Sequence, residues 1–197
     1  MATLVAGSLR ALLGASREQF DGASVIVVPT AAAFRGAAAA AIEVAAALEE
    51  TGASVEALMV LDRAGASDRA MAERVAGADL VVLADGAALH ALSVWRDSAL
   101  GAALAPAHLV AIGSVATVLG AVMIDPRGGA PTIGLGYRSG AVLTTPATAE
   151  QLGRTRRLLT GDEPLVVVGP RGVVAESDGV WRVVVSEDVE VTPARPR

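Results

Sequence analysis

The stretch Leu104-Ala-Pro-Ala-His-Leu-Val-Ala-Ile-Gly-Ser-Val-Ala-Thr-Val-Leu-Gly-Ala-Val-Met-Ile124 decides how this chain is read. Its 21 residues carry one possible charge, His108, and are long enough to cross a bilayer as a helix. The punctuation argues otherwise. Pro106, Gly113, Ser114, Thr117 and Gly120 interrupt the run. It divides into a buried strand, Leu109–Ile112, then a turn, then a short buried helix over Ser114–Met123. Strands buried on both faces of a parallel sheet read as continuous apolar runs, so no membrane span is needed.

Working outward, the same alternation recurs. Ala23–Val28 is a β-branched run that ends at Pro29. Gly36–Glu50 is an Ala-rich helix closed by Gly52. Val55–Leu61 is strand-like, Ser67–Ala76 helical, and Asp79–Ala84 holds a third apolar strand, Leu-Val-Val-Leu. Helical pattern then runs from Leu89 to Leu104. Strands alternating with helices predict an α/β fold with three layers, a doubly wound and mostly parallel sheet. Leu165–Val168, Val173–Ala175 and Val180–Val185 are separated by Gly-Pro-Arg-Gly and Ser-Asp-Gly. Those spacers predict antiparallel C-terminal hairpins at the sheet edge. One domain over residues 1–191 is expected, with 192–197 frayed.

Composition narrows the chemistry. The 197 residues include 42 Ala and no Cys, Lys or Asn, so all 16 basic residues are Arg. Without Cys there is no disulfide frame, thiolate metal site or cysteine nucleophile. Without Lys there is no Schiff base and no P-loop lysine. With only His90 and His108 available, a multi-histidine metal site is not expected, and no cofactor is implied. Five aromatics and a net charge of −5 argue against nucleic-acid binding. The N-terminal segment lacks a basic region ahead of an apolar one, so a cytoplasmic protein is expected rather than a secreted one. Gly134-Leu-Gly-Tyr-Arg-Ser-Gly140 has the wrong spacing for a dinucleotide-binding loop.

Ligands of open α/β sheets bind beyond the carboxyl ends of the strands. Here those ends are Pro29-Thr30-Ala31, Asp85-Gly86-Ala87-Ala88 and Gly113-Ser114-Val115-Ala116. A serine at a strand-to-helix turn is where a nucleophile elbow would hold its hydroxyl. The Val115 N–H would then face an oxyanion, with a second donor from the Gly86–Ala87 turn. Ser114 equally fits a helix N-cap. His90, four residues after Gly86, starts a helix at the same edge and is a candidate base. His108 lies about six residues before Ser114, up to ~20 Å away at ~3.3 Å per residue.

Three segments in order, Val25–Ala32, Asp79–Ala88 and Ile112–Ile124, resemble the cyanophycinase and aspartyl dipeptidase family. These are serine peptidases on a class I glutamine amidotransferase-like fold. Gly134-Leu135-Gly136, the Arg154–Leu158 helix, Gly161-Asp162-Glu163 and the Gly172–Val185 strands extend the resemblance over residues 24 to about 185. It implies Ser114 as nucleophile, Glu163 as the acid that orients the base, and Gly86 in the oxyanion turn. It also implies a homodimer and a small peptide or amino-acid-derived ligand. The sequence departs from the family's pattern at telling points. Ile112 and Ala116 replace the glycines flanking the nucleophile, and Asp85-Gly86-Ala87-Ala88 lacks the polar pair of the oxyanion turn. The expected histidine is absent between Gly136 and Arg154. Without a base a serine hydroxyl is a poor nucleophile. Asp125 and Glu163 are carboxylates, weak bases for a serine, and Arg127, Arg138, Arg154, Arg156 and Arg157 form a candidate anion patch. The expectation is a degenerate, non-hydrolytic or weakly active relative that binds a peptide-like ligand or a protein partner. The alternative is an active serine peptidase with His90 as a relocated base.

Overall fold

The computed structural model describes residues 2–144, 147–159 and 163–194. Its first half runs β1 (Ala2–Ala6), α1 (Leu9–Ser16), β2 (Ser24–Val28), α2 (Ala37–Glu49), β3 (Ser54–Ala57), α3 (Arg63–Ala66) and α4 (Arg69–Ala76). Then come β4 (Leu80–Leu83), α5 (Ala88–Trp95), α6 (Ala99–Leu104) and β5 (Leu109–Ile112). The valine-rich strands explain the layering, because successive side chains leave a strand on opposite faces. Val25 and Val27 of β2 join Leu12 of α1 with Val44 and Leu48 of α2 in one core cluster. Ile26 and Val28 point the other way, into a cluster with Val75, Leu92, Trp95 and Leu100 of α4, α5 and α6. Both faces are therefore covered, and the strand cannot afford a polar residue on either.

The second half builds another sheet. It holds β6 (Gly120–Ile124), β7 (Pro131–Ile133), β8 (Arg138–Thr144), α7 (Ala149–Leu158), β9 (Leu165–Val168), β10 (Val173–Ser177), β11 (Val180–Val185) and β12 (Val189–Thr192). The larger sheet has the order β11-β10-β1-β5-β4-β2-β3, the smaller one β12-β9-β8-β6-β7. In the larger sheet β1, β5, β4, β2 and β3 pair in parallel, while β10 and β11 are antiparallel at its edge. Val142, Val166 and Val168 of the smaller sheet share a core with Leu83 and Ala111 of the larger. Its other face, with Ala141, Leu143 and Leu165, is packed by Leu152 of α7.

The class is the expected mixed α/β with antiparallel edge strands, and four local expectations are corrected. Ser114–Met123 is not one helix. A single 3-10 turn spans Gly113–Val118, and Gly120 onward is β6, because that run pairs with β7 and β8. The Leu89–Leu104 pattern is two helices, split at Asp97, whose φ is +53°. The Gly-Pro-Arg-Gly spacer does not close a hairpin. It carries the chain from β9, parallel to β8 in one sheet, to β10, antiparallel to β1 in the other. Thr192 is not frayed: it ends β12 and pairs with Leu165, while residues 195–197 lie outside the described ones.

Arg138 joins the two sheets. It starts β8 yet is only 7% exposed. Its Nε donates to Thr3 of β1. Its Nη2 donates to the Ala107 carbonyl at 2.8 Å, and Nη1 to those of Ala105 and Tyr137 at 3.0 and 2.6 Å. Glu176, 4% exposed, lies 3.5 Å from Nε and accepts from the Gly179 N–H. Burial lowers the Arg138 pKa, and the Glu176 charge opposes that. Removing one member of a buried pair strands the other charge at a cost of about 3–5 kcal/mol. Arg138→Ala should lose about that much stability in urea unfolding, and a loss below about 1 kcal/mol would refute the clamp.

Next to it, burial pushes the Tyr137 phenol up to about 12, with the Asp97 carboxylate adding to the shift. Its folded pKa then exceeds the ordinary ~10 of the unfolded chain. The stabilisation is full below about pH 10 and disappears as pH climbs through about 12. Tyr137 is the one tyrosine in the chain, so its phenolate absorbance should titrate near pH 12 and return to ~10 in urea.

Candidate functional site

Adjacent parallel strands put their terminal turns side by side. β4 pairs with β5 through Leu83↔Ala111, so the turn after β4 (Ala84-Asp85-Gly86) abuts the turn after β5 (Gly113-Ser114). Both turns are fixed by glycine. At Gly113, φ is +67°, and a Cβ would run into the Asp85 carboxylate. At Gly86 a Cβ would collide with the Ala31 carbonyl, which accepts the Ala87 N–H at 2.6 Å. The left-handed residue is thus Gly113, one before Ser114. The non-glycine residues with positive φ among those described are Asp97, Asp178 and Asp188, so Ser114 does not carry elbow strain.

One carboxylate oxygen organises the junction. Asp85 Oδ1 accepts the Gly86 N–H at 2.8 Å, the Ser114 N–H at 2.8 Å and the Ser114 hydroxyl at 2.7 Å. The Gly86 carbonyl is a second acceptor for the same hydroxyl, at 2.7 Å. The Gly86–Ala87 turn, expected to aim N–H groups at an oxyanion, presents its carbonyl to Ser114. Its two N–H groups are spent on Asp85 and Ala31. Val115 follows Ser114 in the 3-10 turn with its side chain fully buried in the core.

His90 lies on the first turn of α5, at the expected edge. Its Nε2 bonds the Leu61 carbonyl at 2.8 Å, and its ring sits edge-on to Phe34, with centroids 4.6 Å apart. No hydrogen bond joins it to Ser114 among the described residues. His108 hands its carbonyl to the Val81 N–H, at the amino ends of β4 and β5. Glu163 accepts the Gly140 N–H at 2.9 Å through Oε2. Gly140 stands four residues before Thr144 on β8, about 13 Å along the strand at ~3.3 Å per residue. The structure thus brings Ser114, Gly86 and Asp85 together and leaves Glu163 near the amino end of β8. Gly161 and Asp162 lie outside the described residues.

Cavities open on both sides of the Asp85–Ser114 contact. One of about 460 Å³ is lined by Ser8, Arg35, Glu43, Asp85 and Ile112, over the carboxyl ends of β1 and β5. The other, about 230 Å³, is lined by Ser114, Asp125, Leu143, Thr144, Ala147 and Gln151. Of the five arginines in the expected anion patch, Arg138 is the buried clamp and Arg156 pairs with Glu190. Arg127 binds Asp125 through its backbone N–H, Nε and Nη2. Among the described residues no group of three or more His, Asp or Glu is placed to hold a metal ion. No helix of theirs is long and apolar enough to cross a membrane.

The architecture has solved counterparts. A peptidase from an acI-B1 Actinobacterium superposes with a TM-score of 0.77, at 19% identity over 99% of this chain and 91% of its own. A protein assigned as peptidase E from Listeria monocytogenes EGD-e gives 0.62, at 13% identity over 98% of each chain. The fold is that of solved peptidases. No family model and no curated protein matches the sequence. Sequence reasoning pointed to Ser114 by its place after a strand, but it did not anticipate Asp85 as partner. That pairing spans 29 positions, so the local sequence around either residue does not mark it.

The Arg127 hydrogen bonds, with smaller help from Arg154, hold the Asp125 carboxyl below its usual range. A depressed folded pKa stabilises the protein above the unfolded value of 3.8, and the gain is lost as pH falls below it. Arg127→Ala should move the Asp125 carboxyl carbon titration upward by NMR. An unmoved titration would show that the contact does not persist in solution.

Proposed function

We propose that this chain is a non-hydrolysing protein on a peptidase fold, binding a small peptide-like ligand at the Ser114 face. The observation that carries the reading is the hydrogen bonding of the Ser114 hydroxyl. Its acceptors are the Asp85 carboxylate and the Gly86 carbonyl. Serine attack on an amide needs a base that takes the proton and a hole that takes the developing negative charge. A carboxylate is a much weaker base than an imidazole, and a carbonyl cannot take a proton to any useful extent. Oxyanion donors must be free and aimed at the reacting oxygen. The Gly86 and Ala87 N–H groups, expected as donors, are instead spent on the Asp85 carboxylate and the Ala31 carbonyl.

Three features support ligand binding without turnover. The cavities flank the Ser114 turn, they sit at the carboxyl ends of parallel strands, and both mix charged with apolar walls. The peptidase neighbours share the architecture, which makes a peptide-like ligand the natural class to try first.

The test is active-site labelling. A fluorophosphonate at micromolar concentration should leave Ser114 unmodified by intact-mass analysis over hours. Aspartyl and arginyl dipeptides should remain uncleaved by wild type and Ser114→Ala alike. Rapid stoichiometric labelling at Ser114 would sink the proposal. If that labelling vanished in His90→Ala, the protein would be an active serine hydrolase with His90 as its base.

A further inference from the structure

α7 is held in a different way from the helices that cover the larger sheet. α2 buries Ala37, Ala41, Val44 and Leu48, and α5 buries Ala88, Ala91, Leu92, Val94 and Trp95. α7 has ten residues and fully buries only Thr155. Its apolar hold is Leu152, with Leu159 just beyond its end, both half-buried against Ala141, Leu143 and Leu165. A helix this short is marginal on its own, and Gly153 in its interior weakens it further. Arg154 and Arg157, both exposed, put like charges three residues apart on it.

Polar ties to the turn between β6 and β7 make up the difference. Gln151 Nε2 donates to the Pro126 and Arg127 carbonyls at 3.3 and 3.1 Å. The Thr155 hydroxyl donates to the Gly129 carbonyl at 2.7 Å. The turn can come this close because residue 129 is glycine, with φ at +70°. A Cβ there would lie 2.5 Å from the Gln151 carbonyl oxygen. Gln151 also caps α7, since its amide oxygen accepts the Thr148 N–H while Thr148 Oγ1 accepts the Gln151 N–H. One side chain therefore both starts the helix and ties it down. The same contacts close the 230 Å³ cavity, because Pro126, Gly129 and Gln151 line it together with Ser114 and Leu143.

We propose that α7 is a lid on the Ser114 cavity, latched to the β6–β7 turn by Gln151 and Thr155, and that it lifts while both sheets stay folded. Segments with few buried apolar contacts open at a lower free energy than the whole domain. Lifting takes away the Gln151 wall and bares Leu143, which is 4% exposed when the lid is shut. Leu152 and Leu159 draw the helix back onto the apolar cluster. The inference rests on the reading of the Ser114 face as a binding face only for what the lid admits. The motion itself is read without any ligand, so a failed search for ligands leaves the lid result untouched.

The chain has no cysteine, so a single introduced one is the only thiol. Leu143→Cys places it beneath α7. Val142→Cys places it on the other face of β8, in the core shared by the two sheets. Iodoacetamide should label Leu143→Cys roughly tenfold or more faster than Val142→Cys. Urea below the unfolding transition should speed the Val142→Cys reaction steeply and the Leu143→Cys reaction little, because lifting one helix exposes far less surface than unfolding. Adding Gln151→Ala should speed Leu143→Cys labelling about five- to tenfold. Gly129→Ala, which wedges the turn from α7, should speed it as well. Equal rates and equal urea slopes for the two cysteines would overturn the lid, since both would then react through global unfolding. Fast Leu143→Cys labelling that neither Gln151→Ala nor Gly129→Ala changes would overturn it too, since the cavity would then be open without α7 moving. Hydrogen exchange on the wild-type chain decides the matter where a cysteine variant fails to fold. The α7 amides should exchange roughly a hundredfold or more faster than those of β8 and with a smaller urea slope, and equal protection would overturn the inference.

Discussion

The guanidinium of Arg138 is the point from which the two sheets take their relation. It leaves the first residue of β8 and ends on Thr3 of β1 and on the carbonyls of Ala105 and Ala107, just ahead of β5. A planar group with five donors in a fixed fork tolerates little sliding between the elements it joins. From that end β5 and β8 run on toward the Ser114 cavity. β5 gives way to Ser114 two residues past Ile112, and β8 finishes at Thr144. Ser114 and Thr144 line one cavity because each lies six or seven residues beyond the clamp, Ser114 after Ala107 and Thr144 after Arg138. Ser114 owes its position to the larger sheet and Thr144 to the smaller, so neither sheet alone makes the site.

The parts legible in the sequence are those in which local pattern and burial agree. β2, β4 and β5 are covered on both faces, so their valine and leucine runs are unbroken and easy to recognise. α4 ends at Gly77 and is capped by Asp68, which accepts the Ala70 N–H. The C-terminal antiparallel edge was signalled by Ser-Asp-Gly, where Asp178 and Gly179 take positive φ. Other parts were not legible, for physical reasons. Gly120–Ile124 is an apolar run that suits a helix or a strand, and the presence of β7 and β8 decides between them. β8 begins Arg-Ser-Gly, a polar start that hides a strand whose first residue is a clamp. β12 reads Val-Glu-Val-Thr, four residues bordering a tail, and it is a strand because β9 has an open edge there.

The site follows the same division. Ser114 and the Gly86 turn could be placed from their positions after strands. Their chemistry could not, since it depends on where one carboxylate points. Asp85 looks in sequence like a loop acid, and its partners lie 29 residues on.

The carboxylate of Asp85 has one more consequence. Held by its own backbone against the Gly86 and Ser114 N–H groups, it is a tethered anion that never diffuses away. A tether of this kind corresponds to an effective concentration of at least millimolar order, maintained without any solute being present. An external carboxylate seeking those same two N–H groups therefore meets a resident competitor at every encounter. The turn works as a filled anion seat.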